Sequence, residues 1–264
     1  MYHKINIIIF LILFSSQATG SELLINTLEE PPGSFIDDSG KLTGISVDVV
    51  KEIQRRVGNT DPIKVFPWAR TYNNALTRPN VVAFTAARTK ERENKFHWIA
   101  KIARSRYSFF IRKGDQISIS TIDDAKKLSA VGVMRSSVWE QYLRTEGLTN
   151  LDLVATHELN VKKLLAKRIP AIYLNSFGLL RVCKKTKIEC NKIYPIFSTK
   201  TVESYIIMSK NGTPVETVNQ WVHAAQEIKK DGTYKRIALK WMNYLKFNDF
   251  ESHFSEGALN LWAK

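Results

Sequence analysis

The chain has 264 residues, of which 44% are hydrophobic and 11% aromatic, a globular balance that excludes a disordered polypeptide. Lysine and arginine outnumber the acids by 39 to 25, a formal net charge of +14. The basic residues are scattered rather than gathered in one run, which argues against a nucleic-acid binder. They read as solvated faces whose field draws anions inward.

The N-terminus has the grammar of a secretory leader. Lys4 is followed by an apolar core of about ten residues, Ile5–Phe14, too short to span a bilayer. Small residues at Ser16-Gln17-Ala18 and Ala18-Thr19-Gly20 place cleavage between Thr19 and Ser21. Residues 1–20 are thus expected to be a signal peptide and the product periplasmic. An uncleaved anchor helix is the other reading, and the polar residues that follow argue against it. No cysteine near the cleavage point offers a lipid anchor, and no later apolar run is long enough to cross a membrane. About 244 residues then remain, a natural size for two lobes.

In chain order, Glu22–Thr27 reads as a strand and Pro31–Gly40 as a loop. Gly44–Gly58 is a helix, with Val49, Val50, Ile53 and Val57 at helical spacing, Asp48 early, Arg55 and Arg56 late, and a closing Gly58. Ile63–Phe66 is a strand, Thr71–Leu76 a short helix, Val81–Phe84 and Tyr107–Arg112 further strands. A second unit of similar grammar follows. Thr121–Leu128 is a helix opened by a Thr-x-x-Asp cap, Ala130–Met134 a strand, and Ser137-Val138-Trp139-Glu140 a capping box opening a helix to Gly147. Strand Leu151–Ala155, helix Glu158–Ala166 and strand Ala171–Leu174 complete a β-α-β-α-β alternation, which predicts parallel strands. Tyr205–Met208 is another strand. Pro214, as first helical residue after Thr213, opens two helices split at Asp231-Gly232. The segment after Leu245 shows no readable pattern.

The densest chemistry lies in Thr85–Phe96, where a β-type run ends in small residues and passes through Thr89 and Arg92 into a charged turn. In an open α/β sheet that edge is where small ligands bind, and a planar guanidinium there suits a carboxylate. Pro67-Trp68-Ala69-Arg70 ends another strand and sets an aromatic face beside a second guanidinium. With Arg88 and Arg92, Arg70 would suit a ligand carrying more than one negative group. Trp68 and Trp139 serve either the site or lobe packing, and Trp68 ranks first. Cys183 and Cys190 close a basic loop either as a disulfide or as two free thiols.

Several pieces together resemble the periplasmic solute-binding proteins of the amino-acid type, bacterial extracellular solute-binding protein family 3. They run in order through Glu30-Pro31-Pro32 to Phe35, Gly40-Lys41-Leu42-Thr43-Gly44 into Ser46-Val47-Asp48, and Thr89-Lys90-Glu91-Arg92 to Phe96. Arg112-Lys113-Gly114-Asp115, Val131-Gly132-Val133 with Ser136-Ser137, and Lys230-Asp231-Gly232-Thr233-Tyr234 complete them. The resemblance implies a type II two-lobe α/β fold. Each lobe is a mostly parallel sheet flanked by helices, and a two-strand hinge near Ser105–Ile111 and Ser198–Ser204 joins them. Residues 21–107 with 203–264 would form the first lobe and 108–202 the second.

The resemblance further implies that Arg92 clamps a ligand carboxylate, its other reading being a surface ion pair with Glu91 or Glu93. Phe35 falls near the family's aromatic platform or is a core residue. Thr85 and Ala87 lie where relatives place small polar contacts, although Ala87 cannot supply one. Ser136 and Ser137, with Arg135 beside them, open a helix toward an anion or simply cap it. Asn175 stands where amino-acid binders carry the acid that pairs the ligand ammonium, so either the ligand lacks an ammonium or a different acid serves. An ABC-type permease is the expected partner, a sensor receptor the alternative, and the protein is expected to be a monomer. A dehydratase-like enzyme on the same fold is the rival class. Histidines 97, 157, 223 and 253 are isolated, and neither a metal spacing, a Gly-x-Ser-x-Gly nor a phosphate loop occurs. No enzyme activity, cofactor or metal is therefore expected.

Overall fold

The computed structural model describes residues 22–262 apart from 188 and 249, and leaves the side chains of 190 and 200 undescribed. The leader expected over residues 1–20 lies outside the described residues. The chain enters through β1 (Leu24–Thr27), the hairpin β2 (Phe35–Ile36) and β3 (Leu42–Thr43), and helix α1 (Ile45–Val57). Helix α1 forms where the apolar spacing predicts. It buries Val49, Val50 and Ile53, and ends at Gly58, whose left-handed φ of 71° lets its N–H reach the Gln54 carbonyl. Strand β4 (Ile63–Val65), helix α2 (Trp68–Thr77) and strand β5 (Val81–Ala87) follow, then a 3-10 turn over Lys90–Lys95. The long strand β6 (Phe96–Arg112) leaves this region.

The next unit contains α3 (Ile122–Lys126), β7 (Val131–Met134), α4 (Val138–Thr145), β8 (Leu151–Val154), α5 (His157–Leu165), β9 (Ala171–Asn175) and α6 (Ser176–Thr186). The Thr121 cap is a full capping box with Asp124. At α4 the Ser137 hydroxyl accepts from the Glu140 N–H, but the Glu140 carboxylate accepts from the Ser136 N–H rather than from Ser137. The long strand β10 (Ile193–Ser209) then returns to the first region, where α7 (Val215–Lys230), α8 (Thr233–Phe247) and the hairpin β11 (His253–Ser255) and β12 (Ala258–Leu261) end the described chain.

One sheet runs through both halves in the order β4-β1-β5-β10-β6-β9-β7-β8. Strands β4, β1 and β5 are mutually parallel, as are β9, β7 and β8. Between them β6 and β10 pair antiparallel from Phe96 opposite Ser209 to Arg112 opposite Ile193, with a register shift between Ser198 and Thr201. Further shifts lie between Pro195 and Phe197, Ser204 and Tyr205, and Ile206 and Ile207, and such breaks bend the strand pair locally. Each half has its own core, one built around Ile25, Val50, Phe84, Trp221 and Trp241, the other around Phe109, Val131, Val133, Leu143 and Tyr173. This is the expected two-lobe α/β fold with a two-strand crossing.

The structure departs from the predicted elements in several places. Helix α2 begins at Trp68 rather than Thr71, because Pro67 holds an extended conformation just before it and serves as N-cap. Strands β6 and β10 far exceed the predicted Tyr107–Arg112 and Tyr205–Met208, since each other's ladder satisfies their polar stretches. Helix α6 had no predicted counterpart. At α7, Pro214 is the N-cap rather than the first helical residue. The Thr213 hydroxyl makes no cap there, being engaged with Ser209 and the Asn80 N–H. Cys183 is buried and disulfide-bonded, and the Cys190 side chain lies outside the described part. Among the described residues no helix is long and apolar enough to cross a membrane.

Candidate ligand-binding site

A cavity of about 50 Å³ lies where the two lobes face one another, at the C-terminal ends of β1, β5, β7 and β9. Arg92 forms part of its wall from the 3-10 turn after β5 and is 1% exposed. Its Nη2 donates to Gln141 Oε1 at 3.0 Å, across the cleft on α4. Its Nε and Nη1 have no hydrogen-bond partner. The guanidinium carbon lies 4.6 Å from the centre of the Tyr72 ring and 5.4 Å from that of Trp68. Burial pushes its pKa down to about 10, against smaller favourable contributions from Tyr72 and Glu91. A desolvated cation with two idle donors is costly on its own and complements an anion.

The opposite charge in the cavity is Glu30, from the loop after β1, also buried. Three residues distant in the chain donate to it: Tyr107 through its hydroxyl, and from the other lobe Asn175 Nδ2 at 2.6 Å and His157 Nε2 at 2.8 Å. Burial works against a charge on His157. The Glu30 carboxylate overcomes this, with Glu29 adding to it, and holds the imidazole above its ordinary value. Burial first, and the Glu30 charge second, push the Tyr107 phenol well above its usual range. Trp139 stacks on Tyr107 and closes the cavity on that side.

Local backbone positions Glu30 from below. The N–H groups of Ile45 and Ser46, opening α1, donate to the carbonyls of Pro32 and Gly33 at 3.0 and 2.9 Å. Thr85 sits at φ 60° and Ser136 at φ 57°, left-handed values unusual for these residues, at the cleft ends of β5 and β7. Thr85 Oγ1 lies 3.2 Å from Ser34 Oγ.

Of the residues singled out from sequence, Arg92, Thr85, Ala87, Trp68, Ser137 and Asn175 come together on the cavity wall. Phe35, Arg70, Arg88 and Ser136 do not. Phe35 is buried in the first core against Phe177, Trp241 and Tyr244, with Arg181 over its ring. Because α2 starts early, Arg70 is turned outward and stacks on Phe66. Arg88 is committed to Glu93 and lies between Trp98 and Tyr205. Ser136 offers its N–H to Glu140. Asn175 is the N-cap of α6 through Oδ1. Sequence reading missed Glu30, Tyr107 and His157. The one local signal was Glu30 directly before Pro31-Pro32, in a segment already noted. Among the described residues no group of three or more His, Cys, Asp or Glu could hold a metal ion.

The chain matches the bacterial extracellular solute-binding proteins, family 3, over residues 23–244. It is similar to the L-cystine-binding protein TcyJ of Escherichia coli (strain K12), at 29% identity over 216 residues, covering 80% of this chain and 78% of that protein. Its fold is similar to a histidine kinase sensor domain that resembles periplasmic binding proteins, with a TM-score of 0.73 and 16% identity, covering 84% of this chain and 96% of that one. It is also similar to an ancestral arginine-binding protein bound to arginine, with a TM-score of 0.71 and 22% identity, covering 84% and 99%. A match over most of the chain, a two-lobe sheet and a charged interlobe cavity agree: this protein belongs to family 3 of the bacterial extracellular solute-binding proteins.

Proposed function

We propose that the protein captures a small zwitterionic solute of the α-amino-acid class between its lobes and, exported to the periplasm, presents it to an ABC-type permease. Residues 21–107 with 203–264 act as one lobe and 108–202 as the other. The observation that carries this reading is Arg92, buried with two donors unpartnered in the same cavity as buried Glu30. Arg92 takes the carboxylate. Glu30 takes the ammonium and is the different acid that the neutral Asn175 requires. Closing the lobes brings Gln141, His157 and Asn175 onto these two groups, so the ligand favours the closed form by its differential contacts.

The similarity to the L-cystine-binding protein TcyJ of Escherichia coli makes L-cystine the first amino acid to try. The test is calorimetric titration of the mature protein with free α-amino acids, their amides, dicarboxylates and polyamines. Free amino acids should bind and their amides should not. Binding of dicarboxylates with no response to any α-amino acid would remove Glu30 from the site and overturn the reading.

A further inference from the structure

The match to the family ends at residue 244, and the hairpin of β11 and β12 lies beyond it. Apolar residues seat this hairpin on the first lobe: Leu259 and Leu261 are buried in its core, and the Leu259 N–H donates to the Tyr234 hydroxyl at 3.3 Å. Strand β12 lies parallel to β6, from Leu259 opposite Ala103 to Leu261 opposite Ser105. On the same edge of β6, β9 takes over at Tyr107, so Arg106 falls between the two neighbours. On the other edge the β10 register shifts between Ser198 and Thr201, opposite Ser108 and Arg106. The ladders on both sides of β6 are thus interrupted at one place, and a strand turns most easily where its ladder is broken.

The chain around the hairpin covers that place. Arg106 is exposed, and its guanidinium carbon lies 4.9 Å from the centre of the Trp262 ring, directly after β12. His253 of β11 braces Trp262 edge to face, with ring centres 5.8 Å apart. Ahead of the hairpin, Phe250 meets Phe177 with ring centres 5.3 Å apart. Phe177 is the residue by which α6, of the second lobe, enters the first core. Lys184 of α6 donates to Asn248 Oδ1 at 2.8 Å. A hollow of about 280 Å³ lies between Ser176 and Ser198 on one side and Glu251 and Trp262 on the other, which leaves the pivot room to move.

We infer that residues 250–262 are a strap across the hinge that holds the lobes in the closed arrangement. Strand β12 anchors the strap on the first lobe. Phe250 on Phe177 ties it to the second, and Trp262 on Arg106 clamps the pivot. The bonds from Arg92 to Gln141 and from His157 to Glu30 cross the cleft in the same arrangement. Opening the lobes turns β6 at Arg106 and parts the strap from α6, so each contact of the strap opposes it. Phe250 and Trp262 act as positioning residues, since neither lines the ligand cavity, whereas Leu261 of the same strap does.

The experiment is small-angle X-ray scattering of the ligand-free mature protein, which does not depend on the solute. The wild type should have a radius of gyration of about 18 Å, the value for a compact chain of this size. The double variant Phe250→Ala with Trp262→Ala should have a larger radius at unchanged thermal unfolding. Trp262→Phe, which keeps a ring over Arg106, should retain the wild-type radius where Trp262→Ala does not. Arg106→Gln leaves the hairpin untouched and should also enlarge the radius, and it decides the matter if the double variant fails to fold. Radii of the folded variants equal to or below that of the wild type overturn the strap.

Discussion

Asn175 and Glu30 meet across the cleft in a fixed sense. The Asn175 Oδ1 accepts from the Gly178 N–H at 2.7 Å, and its Nδ2 donates to Glu30 Oε1 at 2.6 Å. A backbone N–H can only donate, so the cap of α6 dictates which way the amide points. An aspartate at this position would face Glu30 with a second negative charge. The neutral residue on β9 and the acid on the opposite lobe are therefore two halves of one arrangement.

Glu30→Gln removes the charge and keeps the shape. The affinity for a free amino acid should fall by more than tenfold, while that for the matching carboxylic acid without its amino group should not fall. Titration calorimetry of the two ligands against both proteins reads this directly. Equal losses for both would show that Glu30 only holds the lobes together.

Arg92→Met should separate binding from stability. Loss of one partner of a desolvated charge pair costs about 2–5 kcal/mol, which lowers ligand affinity by more than tenfold. The unliganded protein, relieved of a buried cation with two idle donors, should gain about 1 kcal/mol. That corresponds to a rise in Tm of about 2–4 °C for a chain of this size. A drop in Tm on thermal unfolding without ligand would mean that Gln141 and the flanking rings already compensate the charge.

The pair of His157 and Glu30 gives the protein a pH dependence with a defined sign. The His157 pKa is raised in the folded protein, so its stabilising charge is fully present below the ordinary value of about 6.5 and is lost as pH rises through the folded value. Glu30 and Glu29 act on it directly, and Glu158, Arg181 and Lys185 line a groove beside it. The Tm difference between wild type and His157→Gln should be largest near pH 6 and shrink toward pH 8.5. A difference that grows with pH would contradict the pairing.

Gly44 holds the loop that carries Glu30. Its φ is 134°, and a Cβ there would lie 2.2 Å from the Gly33 carbonyl oxygen. Gly44→Ala should cost about 2–3 kcal/mol and lower Tm by about 5–10 °C. Gly40, at φ 81° with nothing within 4 Å of its Cβ position, should tolerate alanine at a cost of about 1 kcal/mol. Circular dichroism melts of the two variants compare them, and equal melts would show that the loop yields easily.

Much of the fold was legible from neighbouring residues. The apolar spacing and closing glycine of α1, the Thr121–Asp124 capping box and the alternation giving parallel β7, β8 and β9 are properties of short segments, and they formed where expected. Arg92 was singled out in the sequence with a surface ion pair as its other reading, and its burial in the cavity wall decides against the surface position. The start of α2 was not legible, since Pro67 suits both a strand end and a helix cap.

The sequence by itself determined most of the local elements, because each is set by residues within a few positions of one another, and the family, through short motifs that recur in order along the chain. The opposite charge in the cavity of Arg92 was decided only in three dimensions. Glu29 and Glu30 are adjacent acids of the same type, yet Glu29 is exposed and Glu30 is buried among donors 77, 127 and 145 residues away. A carboxylate can be buried only where enough donors converge on it, and that convergence exists once β6 and β10 have brought the two lobes face to face.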